Sequence, residues 1–215
     1  MRIRSFAAGL LATSMVGAAA LAAPAAQAAP AEKAGTRSLA QVLTSDGNRF
    51  DRNPYDFDIV TEAVLAVLKA KPNSPVGVLA DGSTKLTAFI PNDQAFRKLV
   101  KDLTGNRYAS EKRIFNELVA LVGVDVVEQV LLYHVVPGAK ITSTMAKNAD
   151  GADLTMAQGG TVTVNVIYKR TPIIALQDGD SDDANPYLDI QALDINKANK
   201  QIAHGITRVL RPSDL

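Results

Sequence analysis

The sequence predicts an α+β fold in one domain, because two kinds of hydrophobic periodicity occupy different parts of the chain. Across Asp58–Leu131 apolar residues recur at helical spacing, interrupted by one short apolar run at Leu86–Ile90. After the pair Pro137-Gly138 the pattern changes to the alternation typical of strands, which is clearest in Thr161–Tyr168. Helices and strands that are segregated in this way favour α+β over a regularly alternating α/β fold.

The N-terminus has the pattern of a secretory signal peptide. The basic stretch Met1–Arg4 precedes the apolar run Phe6–Ala23, and Ala26-Gln27-Ala28 is a small-x-small cleavage site. The run approaches the length of a membrane-spanning helix, but it is rich in alanine and Pro24 follows it, so we expect cleavage. The predicted organisation is a signal peptide at residues 1–28, a flexible leader at 29–37 and a folded domain at 38–215.

Composition narrows the function classes. The signal peptide carries two basic residues and no acidic ones, so its removal leaves 21 basic and 22 acidic residues. A nearly neutral chain predicts neither nucleic acid nor an anionic membrane surface as the partner. With no cysteine, the domain has no disulfides or thiolate nucleophile, and its stability must come from its core. We expect a secreted protein that does not span a membrane after processing.

The first half of the domain is predicted to be mainly helical. Asp58–Lys69 carries one apolar stripe, and prolines follow it. Leu86–Ile90 is predicted to be a buried strand, after which Asn92 can cap a helix that runs to Leu103. Two more helices are predicted from the stripes Ile114–Val122 and Val126–Leu131, with Asp125 as a possible cap of the second and Pro137-Gly138 as the end of the helical half.

The second half is predicted to consist of strands. Gln158-Gly-Gly160 is a turn signal, and Thr161–Tyr168 then alternates between apolar and polar positions. Clusters of Gly, Asp and Asn separate the further strand candidates, which are Thr171–Leu176, Tyr187–Leu193 and Ile202–Leu210.

Three separated blocks carry a family resemblance: Thr87–Phe96, Leu131–Gly138 and His204–Pro212. In this order and spacing they resemble the fasciclin-like domain, and the whole chain resembles a secreted bacterial protein with one such domain. The resemblance implies a wedge of β-strands with helices packed on it, and an extracellular adhesion module that acts by binding. The third block departs from the family pattern at Gly205, where an apolar residue is usual, and at Thr207, where Asp is usual. Gly205 predicts a bulge or a close approach by another segment.

The resemblance also implies candidate partner-binding residues. They lie around the Tyr-His pair of the second block, with two residues of the first block as further candidates: Leu131, Leu132, Tyr133, His134, Asn92 and Asp93. An alternative is that Tyr133 and His134 pack their rings while their polar atoms bond to backbone carbonyls. The first block itself is interpreted as a strand that leads into a capped helix, with Phe89 and Phe96 as core anchors.

An acidic segment, Asp178–Asp189, lies outside the family pattern. Its alternate carboxylates and the acid at its twelfth position resemble a calcium loop. However, Asp183 stands at position six, where the turn needs Gly, and Pro186 interrupts the loop. We predict a solvated acidic insertion and no metal ligands, and leave calcium as the alternative.

No catalytic motif is present in the sequence. There is no nucleophile elbow, zinc-protease motif, phosphate loop or dinucleotide fingerprint, and the chain has only two histidines. We therefore predict a secreted binding module without a cofactor, whose partner is a protein or glycan of a cell surface or matrix, with self-association left open. The alternatives are a hydrolase or carbohydrate-processing enzyme on the same scaffold, or a soluble ligand carrier.

Overall fold

The computed structural model describes residues 33–214, except 46, 48 and 169–172. The predicted signal peptide and the first residues of the predicted leader therefore lie outside the described residues. The rest of the leader is attached to the domain, because the backbone N–H of Gly35 donates to Ala198 O at 2.9 Å and Arg37 N–H donates to Asn199 Oδ1 at 2.9 Å. Packing thus begins at Gly35, before the predicted start at Ser38.

Helices account for most of the first half, as predicted. Asn92 caps its helix, since its Oδ1 accepts the Ala95 N–H at 3.0 Å. Gly123, with φ of 77°, interrupts one long helix between the two helices that were predicted. The interruption lies two residues before Asp125, the predicted cap of the second helix. The helices are α1 (Leu39–Leu43), α2 (Asp58–Ala70), α3 (Asp93–Thr104), α4 (Glu111–Leu132) and α5 (Ser143–Ala146), with a 3₁₀ helix at Pro75–Ala80.

The strands differ from prediction in three places, and one of them is the short strand Asp153–Thr155, which was not predicted. Val135–Pro137 is a strand, because it pairs with the preceding Leu86–Pro91 strand. Residues 187–193 form no strand: Tyr187 bridges to Ala175 and Leu188 bridges to Ile206, so this segment connects two sheets. The strands are β1 (Leu86–Pro91), β2 (Val135–Pro137), β3 (Asp153–Thr155), β4 (Thr161–Val166), β5 (Ile174–Gln177) and β6 (Gln201–Ile206).

The strands form two three-stranded sheets. The central sheet has the order β2-β1-β6, with β2 antiparallel and β6 parallel to β1. The outer sheet is the antiparallel β3-β4-β5, whose first turn contains the predicted Gly159-Gly160 pair. These helices and two sheets confirm the α+β fold class.

The central sheet separates two apolar cores, because β1 is buried on both faces. Leu86, Ala88 and Ile90 pack among the helices, in what we call the helical core. Phe89 points the other way and packs with side chains of the outer sheet, in the sheet core. Phe89 and Phe96 are 3% and 8% exposed, which confirms both as core residues.

Candidate functional site

All six residues predicted to bind a partner are buried. Their exposure lies between 0% and 7%, for Leu131, Leu132, Tyr133, His134, Asn92 and Asp93. Side chains this buried offer little area to a partner, although Leu131 and His134 line a partly open apolar pocket among α2, α3 and α4. The geometry instead supports the alternative in which they pack and bond internally, and their binding role remains an untested prediction.

His134 connects the end of α4 to the C-terminal segment. Its Nδ1 lies 2.7 Å from Val130 O, and its Nε2 accepts the backbone N–H of Leu210 at 2.9 Å. Because Nε2 must be the acceptor, Nδ1 carries the proton and donates to the carbonyl. Burial lowers the pKa of His134 to about 4, so the ring is neutral at pH 7.

Tyr133 connects the same helix end to the outer sheet. Its hydroxyl donates to Thr161 O at 2.7 Å. Its ring packs on Gly160, where an added Cβ would lie 2.9 Å from Tyr133 Cε2. Burial raises the pKa of the phenol, which therefore remains a donor. The two residues of the Tyr-His motif thus bond to different parts of the domain, Tyr133 to the outer sheet and His134 to the C-terminal segment.

Asp93 caps a helix other than its own. Its Oδ1 accepts the Ile59 N–H of α2 at 3.0 Å, and Phe57, the N-cap of α2, offers no side-chain acceptor. The backbone N–H of Asp93 donates to Asp56 O at 3.0 Å. The first block therefore holds the start of α2 against the start of α3.

A cluster of carboxylates surrounds this junction. Oxygen atoms of Asp58, Asp93 and Glu111, each the first residue of α2, α3 or α4, lie within 4.8 Å of one another, and all three residues are buried. Glu111 accepts from Arg97 Nη2 at 2.7 Å and from the Asp51 N–H at 2.7 Å. Three such oxygens could hold a divalent cation. However, both oxygens of Glu111 already accept hydrogen bonds within the protein.

Protonation is a further way to balance the charge of this cluster. Burial, together with the negative charges of Glu111 and Asp56, raises the pKa of Asp93 to about 8. Burial also raises the pKa of Glu111, although Arg97 opposes that shift. A protonated Asp93 removes one negative charge at pH 7 without an ion.

The acidic loop closes on an arginine that the sequence analysis did not single out. Arg211 N–H donates to Asp178 Oδ2 at 2.9 Å, and its guanidinium pairs with Asp102 and Asp180 at 3.2 Å and with Asp183. Asp180 is 3% exposed, so this loop is less solvated than expected. The signal in the sequence was Arg211 itself, a basic residue in the third block for which no role had been predicted.

The two departures in the third block both contact the segment that connects the sheets. A Cβ on Gly205 would lie 2.6 Å from Ala192 Cβ, which confirms the predicted close approach. Thr207 Oγ1 accepts the Tyr187 N–H at 3.0 Å. Next to Gly205, His204 accepts the Asp194 N–H at Nδ1, 3.2 Å away, so its Nε2–H donates to Ile141 O at 2.8 Å.

An exposed apolar surface lies on the outward face of the outer sheet. Ile167 N–H donates to Ile173 O at 2.9 Å, so these residues lie opposite each other. Ala175, two residues beyond Ile173, pairs with Tyr187, which places all these side chains on one face. Ile167, Ile173 and Tyr187 are 48%, 39% and 42% exposed, and we call these three residues the outer-face patch. The signal in the sequence was Ile167, the one apolar residue on the polar side of its strand.

No helix among the described residues combines the length and the hydropathy that a membrane span requires. The two histidines bond to backbone atoms through all four ring nitrogens, and each ring lies in a different place. The structure therefore does not bring them together as a pair of metal ligands.

Comparison with known proteins identifies the family. The sequence profile of the Fasciclin domain matches residues 61–212. A comparison with curated protein sequences gave no significant match. Among solved structures, a FAS1 domain pair from the insect cell adhesion molecule fasciclin I is similar at a TM-score of 0.42 and 12% identity, over 72% of this chain and 43% of that chain. Because the profile spans most of the domain and includes all three blocks, the chain belongs to the fasciclin domain family.

Proposed function

We propose that this protein is an extracellular binding module that acts in adhesion or matrix association. Its family membership carries the proposal, since fasciclin domains occur in cell-adhesion proteins and are generally non-enzymatic. The histidines support it as well, because a general base needs a free ring nitrogen beside a substrate. Both ring nitrogens of His134 and of His204 are engaged by backbone groups.

We place the binding surface at the outer-face patch. Two isoleucines and a tyrosine, all roughly half exposed, form a neutral surface that can lose water on contact. Only one of the three side chains, Tyr187, is aromatic, and the two isoleucines have no polar group to offer a sugar hydroxyl. The patch therefore favours a protein of the cell surface or matrix over a glycan.

The buried Tyr-His motif supports this surface from behind. Tyr133 holds Thr161 at the start of β4, and β4 leads directly to Ile167. Within this proposal, changes in the motif affect binding through the position of the outer sheet. Changes in the patch affect binding directly.

The test is retention of the labelled protein, expressed from the full sequence, on its producing cells and their extracted matrix. We expect saturable retention, and about tenfold weaker retention when Ile167→Thr and Ile173→Thr are combined. Threonine keeps the branched Cβ that suits a strand, so folding should be preserved. Leu121→Gln is the matched control, because Leu121 is 54% exposed on α4, outside the outer sheet.

Absence of saturable retention for the unmodified protein would contradict adhesion to its own cells. Retention that survives protease treatment of the surface but not glycosidase treatment would replace the protein partner with a glycan. Equal losses in the patch variant and in Leu121→Gln would show that the patch is not the binding surface. Melting temperatures of all variants must match that of the unmodified protein.

A further inference from the structure

A cavity of about 180 Å³ that is partly open to solvent lies in the sheet core, between β1, the outer sheet and α5. Every residue that lines it is apolar, although the surrounding loops are rich in polar residues. The lining includes Phe89, Met145, Ala146, Ala149, Val164 and Leu188. This space is larger than the gaps that close-packed protein interiors normally leave.

Water is a poor occupant of such a space. A buried water needs two to four polar partners, and none of the lining side chains has a polar group to offer. Enclosed cavities of about 150 Å³ lined by leucine, isoleucine and phenylalanine stay dry and bind benzene or xenon, and this partly open cavity has a similar size and lining. A charged molecule is excluded for the same reason as water, because its charge would be buried without a partner.

The cavity has an entrance side. Phe89, Val164 and Leu176 are between 1% and 3% exposed, whereas Met145 on α5 is 54% exposed. α5 is a single helical turn of four residues, held at its start by Ser143, whose N–H and hydroxyl donate to Asp194 at 2.7 and 2.9 Å. A flexible methionine on a one-turn helix gives a compact molecule a short route from solvent into the cavity.

We propose that this cavity is a binding site for a small, uncharged, apolar molecule of about the size of benzene. The site is separate from the outer-face patch, because the inward face of the outer sheet lines the cavity and the outward face carries the patch. It gives the domain a second binding capacity that does not depend on adhesion.

The experiment is thermal unfolding of the full chain at increasing concentrations of benzene, with benzoate as a charged probe of similar size. A ligand that binds only the folded state raises the melting temperature in a concentration-dependent way. We expect such a rise with benzene and none with benzoate. No rise as benzene approaches its solubility limit would overturn the proposal.

Two variants locate the site. Ala146→Leu and Ala149→Leu each add three carbon atoms to the lining, and both should reduce the benzene response several-fold. Ala109→Leu, at an exposed position outside the cavity, should keep the full response. If neither filling variant reduces the response, benzene binds elsewhere and the assignment to this cavity is wrong. Two filling variants are included so that a local disturbance of α5 by one of them does not decide the outcome.

Discussion

The helical core and the sheet core share strand β1 but are stabilised by different means. At its edge, the helical core contains buried charges, with Asp58, Asp93 and Glu111 joining the starts of three helices. The pocket among its helices has a volume of about 60 Å³. In the sheet core, buried polar groups such as the Tyr133 hydroxyl and the His204 ring beside Phe89 form hydrogen bonds to backbone groups, and the cavity of about 180 Å³ has an apolar lining. The buried polar groups of the helical core are clustered carboxylates, whereas those of the sheet core are separate hydrogen-bonding groups that bond to the backbone.

The Tyr-His motif lies where these two cores meet. Tyr133 packs in the sheet core, and His134 lines the pocket of the helical core. Substitutions at these two neighbouring positions therefore affect different cores. Tyr133 reports how ring packing contributes to folding stability, and His134 reports how protonation contributes.

The largest effect is expected for Tyr133→Ala. It removes a ring that is 1% exposed and leaves Thr161 O without its donor. Loss of a buried aromatic ring costs about 3–5 kcal/mol of folding free energy. Denaturant unfolding should show this loss, and Tyr133→Phe, which keeps the ring, should cost about 1–2 kcal/mol. An unchanged melting temperature for Tyr133→Ala would mean that the ring is not part of the core.

An intermediate effect is expected from His134 at acid pH. Its pKa is about 6.5 in the unfolded chain and about 4 in the folded protein, so between these values the unfolded chain binds more protons. Folding stability should therefore fall as pH drops from 6.5 to 4, by on the order of 3 kcal/mol from this group. Burial also lowers the pKa of His204, which acts in the same direction.

The measurement is the difference in unfolding free energy between the protein and His134→Gln at pH 7 and pH 5. Glutamine cannot be protonated, so the free-energy difference should shrink as pH falls. A difference that is the same at both pH values would show that His134 does not titrate between them.

Between pH 6.5 and 8, a smaller effect of the opposite sign is expected from Asp93. Its pKa is raised to about 8 in the folded protein, so the folded state holds a proton that the unfolded chain has lost. Stability from this group is complete below about pH 4 and is lost as pH rises towards 8, at about 1.4 kcal/mol per pH unit. Between pH 6.5 and 8, where His134 no longer offsets it, the total change should be about 2 kcal/mol.

Asp93→Asn is the matched variant, since its amide oxygen can still accept the Ile59 N–H while the position can no longer ionise. Unfolding free energies from pH 6.5 to 8 should decline for the unmodified protein and change less for Asp93→Asn. If both proteins show the same decline, another carboxyl of the cluster holds the proton.

Local signals made much of the fold predictable. The apolar stripe of α2 and the Asn92 cap of α3 depend on residues that are close in sequence, and the close approach at Gly205 was indicated by the glycine itself, although Ala192 lies 13 positions away. β2 could not be predicted in this way, because it is three residues long and its partner β1 lies about 50 residues earlier. Pairing over such a distance depends on the assembled core.

The candidate site was less predictable than the fold. Tyrosine and histidine occur both on surfaces and in cores, so their sequence position did not show that Val130, Thr161 and Leu210 would supply partners. Similarly, Arg211 lies more than 25 residues from each loop aspartate whose side chain it contacts. A run of alternate carboxylates has the same sequence pattern whether it binds a calcium ion or the guanidinium of an arginine far away in the chain.

The segment between the sheets has one further consequence. Tyr187 belongs to the outer-face patch, and the next residue, Leu188, lines the cavity. A molecule in the cavity that displaced Leu188 would also displace Tyr187, and so would change the affinity of the patch. Thermodynamic reciprocity then requires a partner at the patch to change the affinity of the cavity by the same factor. Two consecutive residues would thus make each kind of ligand an effector of the other.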